Sequence, residues 1–245
     1  MSEKKYTITV TLNAEATSAT VFDAEGTAVT SATVPYERRA SDQTPSKGEG
    51  AYRPRQIVDD MCEVVMDVLG VAECEPGAQP GLTSTVSAGE VAAVHFSQDV
   101  DDVIVWDIAD GLPVCEALSA DDARQLGISS RSVAHRIAWV LENIEGAREK
   151  AERGEVLYGD PACWLIWNLS GGVEGLTRGE TSFATARETA EGTGLYDSAS
   201  GTWSQEICDA VGIPLAMLPA IKDALQLLGH CRSDGVLPGV PIEVL

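Results

Sequence analysis

The sequence is short of positive charge. Against 38 acidic residues it carries 17 lysines and arginines, and the formal net charge is -21. Such a balance repels nucleic acid and anionic membrane surfaces, so neither is expected as a partner. It also works against a bare nucleotide unless a local site or Mg²⁺ offsets it. Paired cysteine motifs are absent. Cys62, Cys74, Cys115, Cys163, Cys208 and Cys231 stand apart, with no C-x-x-C and no Cys/His spacing suited to a metal. Scattered thiols suggest a reducing compartment, the cytoplasm. No apolar run is long enough to cross a bilayer, and MSEKKYTITV lacks the core of a signal peptide. Also missing are G-x-S-x-G, H-E-x-x-H, the P-loop pattern and G-x-G-x-x-G, which removes the familiar hydrolase, zinc-protease and dinucleotide signatures. There are no internal repeats.

What is present is a mixed pattern of strands and helices. Residues 6–12, 17–23 and 27–34 are rich in β-formers and separated by turns, a three-strand meander. Residues 40–53 read as a loop. Pro54 opens a helix and Gly70 closes it, with Ile57, Met61, Val64, Val65 and Val68 on one face. Residues 71–90 read as a surface connection. VAAVHFS (91–97) has the continuous apolar character of a buried strand, and VIVWDI (103–108) is another. From Ser130 the spacing is helical, with Val133, Ile137, Val140, Leu141 and Ile144 in one stripe. CWLIWNLSGG (163–172) is an apolar helix, and TWSQEICDAVGI (202–213) a short capped one. Residues 218–229 begin like a helix and turn to strand character near Leu228. Residues 176–200 have no clear pattern. This order predicts a ribonuclease-H-like α/β domain with a mixed sheet and flanking helices.

Four stretches together resemble the N-terminal domain of the FGGY carbohydrate kinases, the glycerol kinase and xylulokinase family. YTITVTLNAEATSATVFDAEG is similar to the family's first hairpin. LYDSASGTWSQEICDAVGIPLAMLPAI (195–221) is similar to a segment ending G-I-p-x-x-x-L-P-x-i, and is the most specific match. Residues 133–171 resemble the family's helix pair, and ADDARQ (120–125) its W-x-D-x-R-x segment. The matches run in order along nearly the whole chain. The resemblance implies an actin-like ATPase fold of two ribonuclease-H-like domains, with Mg-ATP in the cleft and a sugar or polyol beneath the γ-phosphate. It implies phosphoryl transfer to a hydroxyl, assisted by a carboxylate base.

Set against the family hairpin G-x-D-x-G-T-T-s-t-K, the phosphate residues are altered. Thr9, Thr11, Asn13, Ala14, Glu15 and Ser18 stand where the family has glycine, aspartate, glycine, two threonines and lysine, and Thr17 is retained. Asn13, Thr17 and Ser18 are the remnants of a phosphate site. Glu15 beside a phosphate would add repulsion of roughly 4 kcal/mol at about 4 Å. After the buried strand, where the xylulokinase branch has G-x-S-G-Q-M-H-G, Ser97 is kept and an acidic loop follows, Asp99, Asp101 and Asp102. Carboxylates there can accept hydrogen bonds from polyol hydroxyls, or simply face solvent. Asp122 and Arg124 match the family's D-x-R pair, although SADDARQ also has the form of a capped helix start. His95, ending a buried strand, reads as a core histidine. The family's catalytic aspartate follows a segment similar to GVLPGVPIEVL at 235–245. The expectation is therefore one domain over 1–245, without the C-terminal domain, binding no certain cofactor and inactive alone. It would either join a homodimer or partner chain through the former interdomain face, or act as a non-catalytic polyol- or protein-binding module.

Overall fold

The computed structural model describes residues 5–36, 52–70, 86–128, 131–177, 179–224 and 226–245. Most of the loop expected at 40–53 and of the connection expected at 71–90 therefore lies outside the described residues.

The chain opens with three antiparallel strands, β1 (Tyr6–Leu12), β2 (Ala16–Phe22) and β3 (Ala28–Pro35). In β1 the alternation of threonine with larger apolar residues matches the two-residue period of a strand, and Ile8, Val10 and Leu12 are completely buried. Helix α1 (Pro54–Val68) starts on proline, which has no N–H to leave unsatisfied, and ends at Gly70 in a left-handed conformation. Strand β4 (Val91–Gln98) then pairs in parallel with β1. Strand β5 (Ile104–Asp107), helices α2 (Ala120–Gln125), α3 (Val133–Asn143) and α4 (Ala147–Glu152), and strand β6 (Val156–Gly159) follow. Next come α5 (Pro161–Leu169), α6 (Gly172–Leu176), β7 (Ala184–Ala186), α7 (Arg187–Gly192), β8 (Tyr196–Asp197), β9 (Thr202–Trp203) and α8 (Gln205–Val211). Strands β10 (Ala220–Lys222), β11 (Leu227–His230) and β12 (Pro241–Val244) complete the chain.

The main sheet has six strands in the order β11-β12-β4-β1-β2-β3, with β12, β4 and β1 parallel and the others antiparallel. This is the mixed sheet with flanking helices expected from the sequence. One apolar core joins β1, β2, β4 and β12 to α1 and α5. A second joins β5 and β6 to α3, α4 and α8. Trp106, Trp164, Trp167 and Phe183 interlock inside the first, with ring centroids 5.0–5.8 Å apart. Gly159 is required here, because a Cβ would lie 2.9 Å from the Trp106 ring and 3.0 Å from Cys163.

The helix expected to begin at 218 does not form. Pro219 precedes β10, which pairs in parallel with β7, and β11 adds to the edge of the main sheet. Long-range strand pairing overrides the local helical character. The patternless stretch 176–200 holds the end of α6, the whole of α7 and two short strands, β7 and β8.

Asp60 lies among the buried side chains of α1, where periodicity points only to apolar ones. Burial raises its pKa to about 6, helped by the neighbouring charges of Glu63 and Asp59, while a hydrogen bond from Gln56 opposes the rise. A raised carboxyl pKa means that the charged form costs stability above the folded value, and the cost fades as pH falls toward the unfolded value. Asp60→Asn is therefore expected to stabilise the protein by about 1–3 kcal/mol at pH 7.5 and by nearly nothing at pH 4. Urea unfolding of both proteins at the two pH values checks this, and an equal effect at both would contradict it.

Candidate functional site

The parallel strands place their carboxyl ends on one edge of the sheet. In open α/β sheets that edge is where ligands bind. The turn after β1, the acidic loop after β4 and the end of β12 all gather there, and the Asp99 N–H donates to the Leu12 carbonyl at 3.1 Å, joining the first two.

Two cavities open on this edge. The first, about 490 Å³, is lined by Ser97, Gln98, Asp160, Thr185, Arg187 and Asp223 among others. The second, about 470 Å³, is lined by Gln98, Asp99, Asp101, Tyr158, Asp160 and Thr193 among others. Both volumes suit small ligands. Gln98, Asp160, Glu188 and Thr189 line both.

Asp160 is the structural centre of the pair. It caps α5, accepting from the Cys163 N–H at 3.0 Å, and also accepts from the Thr185 hydroxyl at 2.7 Å. The Gln98 carboxamide oxygen accepts from the Ala162 N–H at 3.0 Å. Burial pushes the Asp160 carboxyl up, while its own hydrogen bonds, from Cys163, Thr185 and Gln98 among others, pull the other way. The Tyr158 hydroxyl is likewise pushed well up by burial. Arg187 bridges Asp223 and the Tyr196 hydroxyl at the rim of the first cavity.

The sequence-predicted residues divide. Ser97 lines the first cavity, and Asp99 and Asp101 the second. Asp101 also meets Arg136, Oδ2 to Nη2 at 2.7 Å, and the guanidinium is completely buried and donates to the Leu118 carbonyl. Asp102 is buried and lines neither cavity. His95 lies 3.6 Å from Glu243 on the neighbouring strand. The residues missed from sequence are Gln98, Asp160, Thr185, Glu188 and Thr189. Asp160-Pro161 is a readable helix start, but nothing local shows that it faces a cavity.

Asn13, Thr17 and Ser18 share the edge but line neither cavity. Asn13 Oδ1 accepts from the N–H groups of Glu15 and Ala16, both at 2.8 Å. Thr17 is buried and donates to the Tyr36 hydroxyl. The Glu15 and Ala16 amides are thus engaged by the turn's own Asn13 side chain, and residues 13–18 contain no cation. Residues 13–18 do not themselves supply the free amides at 15 and 16 and the positive charge that Mg-ATP phosphates would need.

Asp122 is buried and belongs to a capping box. Its Oδ2 accepts from the Ser119 N–H at 2.8 Å and the Ser119 hydroxyl at 2.7 Å, and its own N–H donates to Ser119 Oγ. Arg124 is exposed and pairs with Asp121 at 3.3 Å. Neither residue lines the cavities. Asp122→Ala is expected to cost about 1–2 kcal/mol through the lost cap. Arg124→Ala should stay within about 0.5 kcal/mol. Denaturant unfolding measures both, and comparable losses from the two would rule out the capping account.

Residues 6–242 match the model of the FGGY family of carbohydrate kinases, N-terminal domain. The glycerol kinase of Beutenbergia cavernae is 30% identical over 258 residues, covering 97% of this chain and 47% of that protein. That of Corynebacterium glutamicum is 30% identical over 230 residues, covering 90% and 44%. In structure, the chain resembles Plasmodium falciparum glycerol kinase solved with ADP, at TM-score 0.78 and 19% identity, covering 99% of this chain and 48% of the other. It also resembles xylulose kinase from Lactobacillus acidophilus, at TM-score 0.70 and 18% identity, covering 98% and 47%. The chain spans about half the length of the curated relatives it matches. The resemblance carried by the hairpin and the 195–221 segment thus rests on a match over nearly every residue, and the chain belongs to the FGGY family of carbohydrate kinases, as the N-terminal domain.

Proposed function

We propose that this chain is the polyol-recognising half of a sugar or polyol kinase, and that on its own it transfers no phosphate. The observation that carries the reading is the hairpin turn, whose Glu15 and Ala16 amides are held by the Asn13 side chain. A phosphate would have to displace those bonds and then face Glu15, and residues 13–18 supply no cation to offset it. The family's phosphoryl chemistry needs donors and positive charge at this place, so nucleotide binding by this half is weak or lost.

The second cavity supports polyol recognition. Asp99 and Asp101 present carboxylates that accept hydrogen bonds from hydroxyls, and a neutral polyol escapes the repulsion that the net charge of -21 imposes on anions. The capped α5 terminus and the Thr185–Asp160 hydrogen bond hold the floor rigid. Ser97 reaches the adjoining cavity rather than this one. In this reading residues 1–245 form a binding module, and phosphoryl transfer needs the other half of the cleft as well.

Thermal unfolding against glycerol, other polyols and ketoses, each with and without MgATP, tests the reading. Saturation at a hundred times the dissociation constant stabilises by about 2.7 kcal/mol. A polyol should raise the melting temperature, MgATP alone should not, and Asp99→Ala should remove the polyol shift. A shift with MgATP alone, or sugar-dependent ADP formation by the purified chain, would overturn it.

A further inference from the structure

Arg136 stands where the packing of α3 calls for an apolar side chain. It belongs to the buried stripe of that helix, with Val133, Ile137, Val140 and Leu141, and is itself completely buried. At such a place an apolar side chain commonly stabilises a fold as well as a buried charge does, or better. Nor does the backbone need the guanidinium. Its Nη1 donates to the Leu118 carbonyl at 2.8 Å, but the Val103 amide already donates to the same oxygen, also at 2.8 Å. Its Nε has no partner among the described residues. What the guanidinium does reach is Asp101, whose Oδ2 lies 2.7 Å from Nη2.

Asp101 sits in the stretch between β4 and β5. One end of that stretch is anchored by the Asp99 amide on the Leu12 carbonyl, the other by the paired backbones of Val103 and Leu118. Between the anchors the Asp101 side chain is 60% exposed, so that without a fixed partner it would be free to change rotamer. Val133 lines the second cavity beside Asp101, and Arg136 follows three residues later on the same face of α3. Arg136 itself lines neither cavity, so it reaches the site through the carboxylate it holds.

We propose that Arg136 is a positioning residue for polyol binding, holding Asp101 by one carboxylate oxygen and leaving the other to accept from a ligand hydroxyl. This role rests on the polyol reading of the second cavity given above. An acceptor fixed before the ligand arrives spares the ordering cost at binding. A carboxylate accepts and does not donate, so the pair selects ligands that present a hydroxyl at this place.

Titration calorimetry with glycerol and with xylitol tests the role, alongside thermal melts followed by circular dichroism. The proteins are the parent, Arg136→Met, Arg136→Lys, Asp101→Asn and the double variant of Arg136→Met with Asp101→Asn. Arg136→Met removes the charge at similar volume and should fold, whereas Asp101→Asn leaves a buried guanidinium without its counter-ion. Asp101→Asn should therefore lower the melting temperature of the parent, and do so much less beside Arg136→Met. Arg136→Met is expected to weaken binding of the tighter polyol by about tenfold. In the Asp101→Asn background it should weaken binding no further. Arg136→Lys keeps the charge and should recover part of the loss. A residue that merely packs the helix would show neither the coupling in affinity nor the recovery. If the parent binds and Arg136→Met binds as tightly, or weakens binding equally in both backgrounds, this role is overturned and the polyol reading stands. A parent that binds neither polyol overturns that reading and this role with it.

Discussion

The parallel pairing of β1 with β4, extended by β12, is the constraint on which the remainder of this molecule depends. Parallel neighbours require their connections to travel back across the sheet, so the helices between them must cover its faces. The pairing also aligns three carboxyl ends on one edge. The hairpin turn, the acidic loop and the chain after β12 become neighbours although they lie far apart in sequence. The hydrogen bond from the Asp99 amide to the Leu12 carbonyl is the local expression of that alignment. The cavities owe their position to it, since residues at the end of β4 line both.

The floor of those cavities is built by burial. Gly159 lets β6 approach the Trp106 ring, and Asp160 follows at once with its carboxylate turned to the first amides of α5. A carboxylate there would be costly without donors, and the Cys163 amide and Thr185 hydroxyl meet that need. The segment that carries Thr185, β7, is held by β10. A short parallel strand pair near the end of the domain thus supports a polar group in its middle.

Much of the architecture was legible because the signals are local. The alternation in β1, the Pro54–Gly70 brackets of α1 and the stripe of α3 rest on period and on proline and glycine chemistry. The helical character at the start of 218–229 gives way to β10 because its partner, β7, lies in no local window, whereas the strand character near Leu228 is met by β11. The candidate site was less legible for the same reason. Asp99 and Asp101 could be found from their loop after a buried strand, whereas Gln98, Asp160 and Thr185 come from three elements joined only by the fold. Asp122 shows the converse. The SADDARQ segment reads equally as a family motif and as a capped start, and the side chain is committed to the cap.

Asn13 has a further consequence. Its carboxamide is covalently attached two and three residues from the amides it engages, so it faces them at an effective concentration that no free anion matches at ordinary levels. It behaves as a tethered competitive inhibitor of whatever would seek those amides. Because the tether is a single side chain, this competition is local, and it adds to the repulsion that Glu15 would exert. The fold around it need not change for that competition to be won or lost.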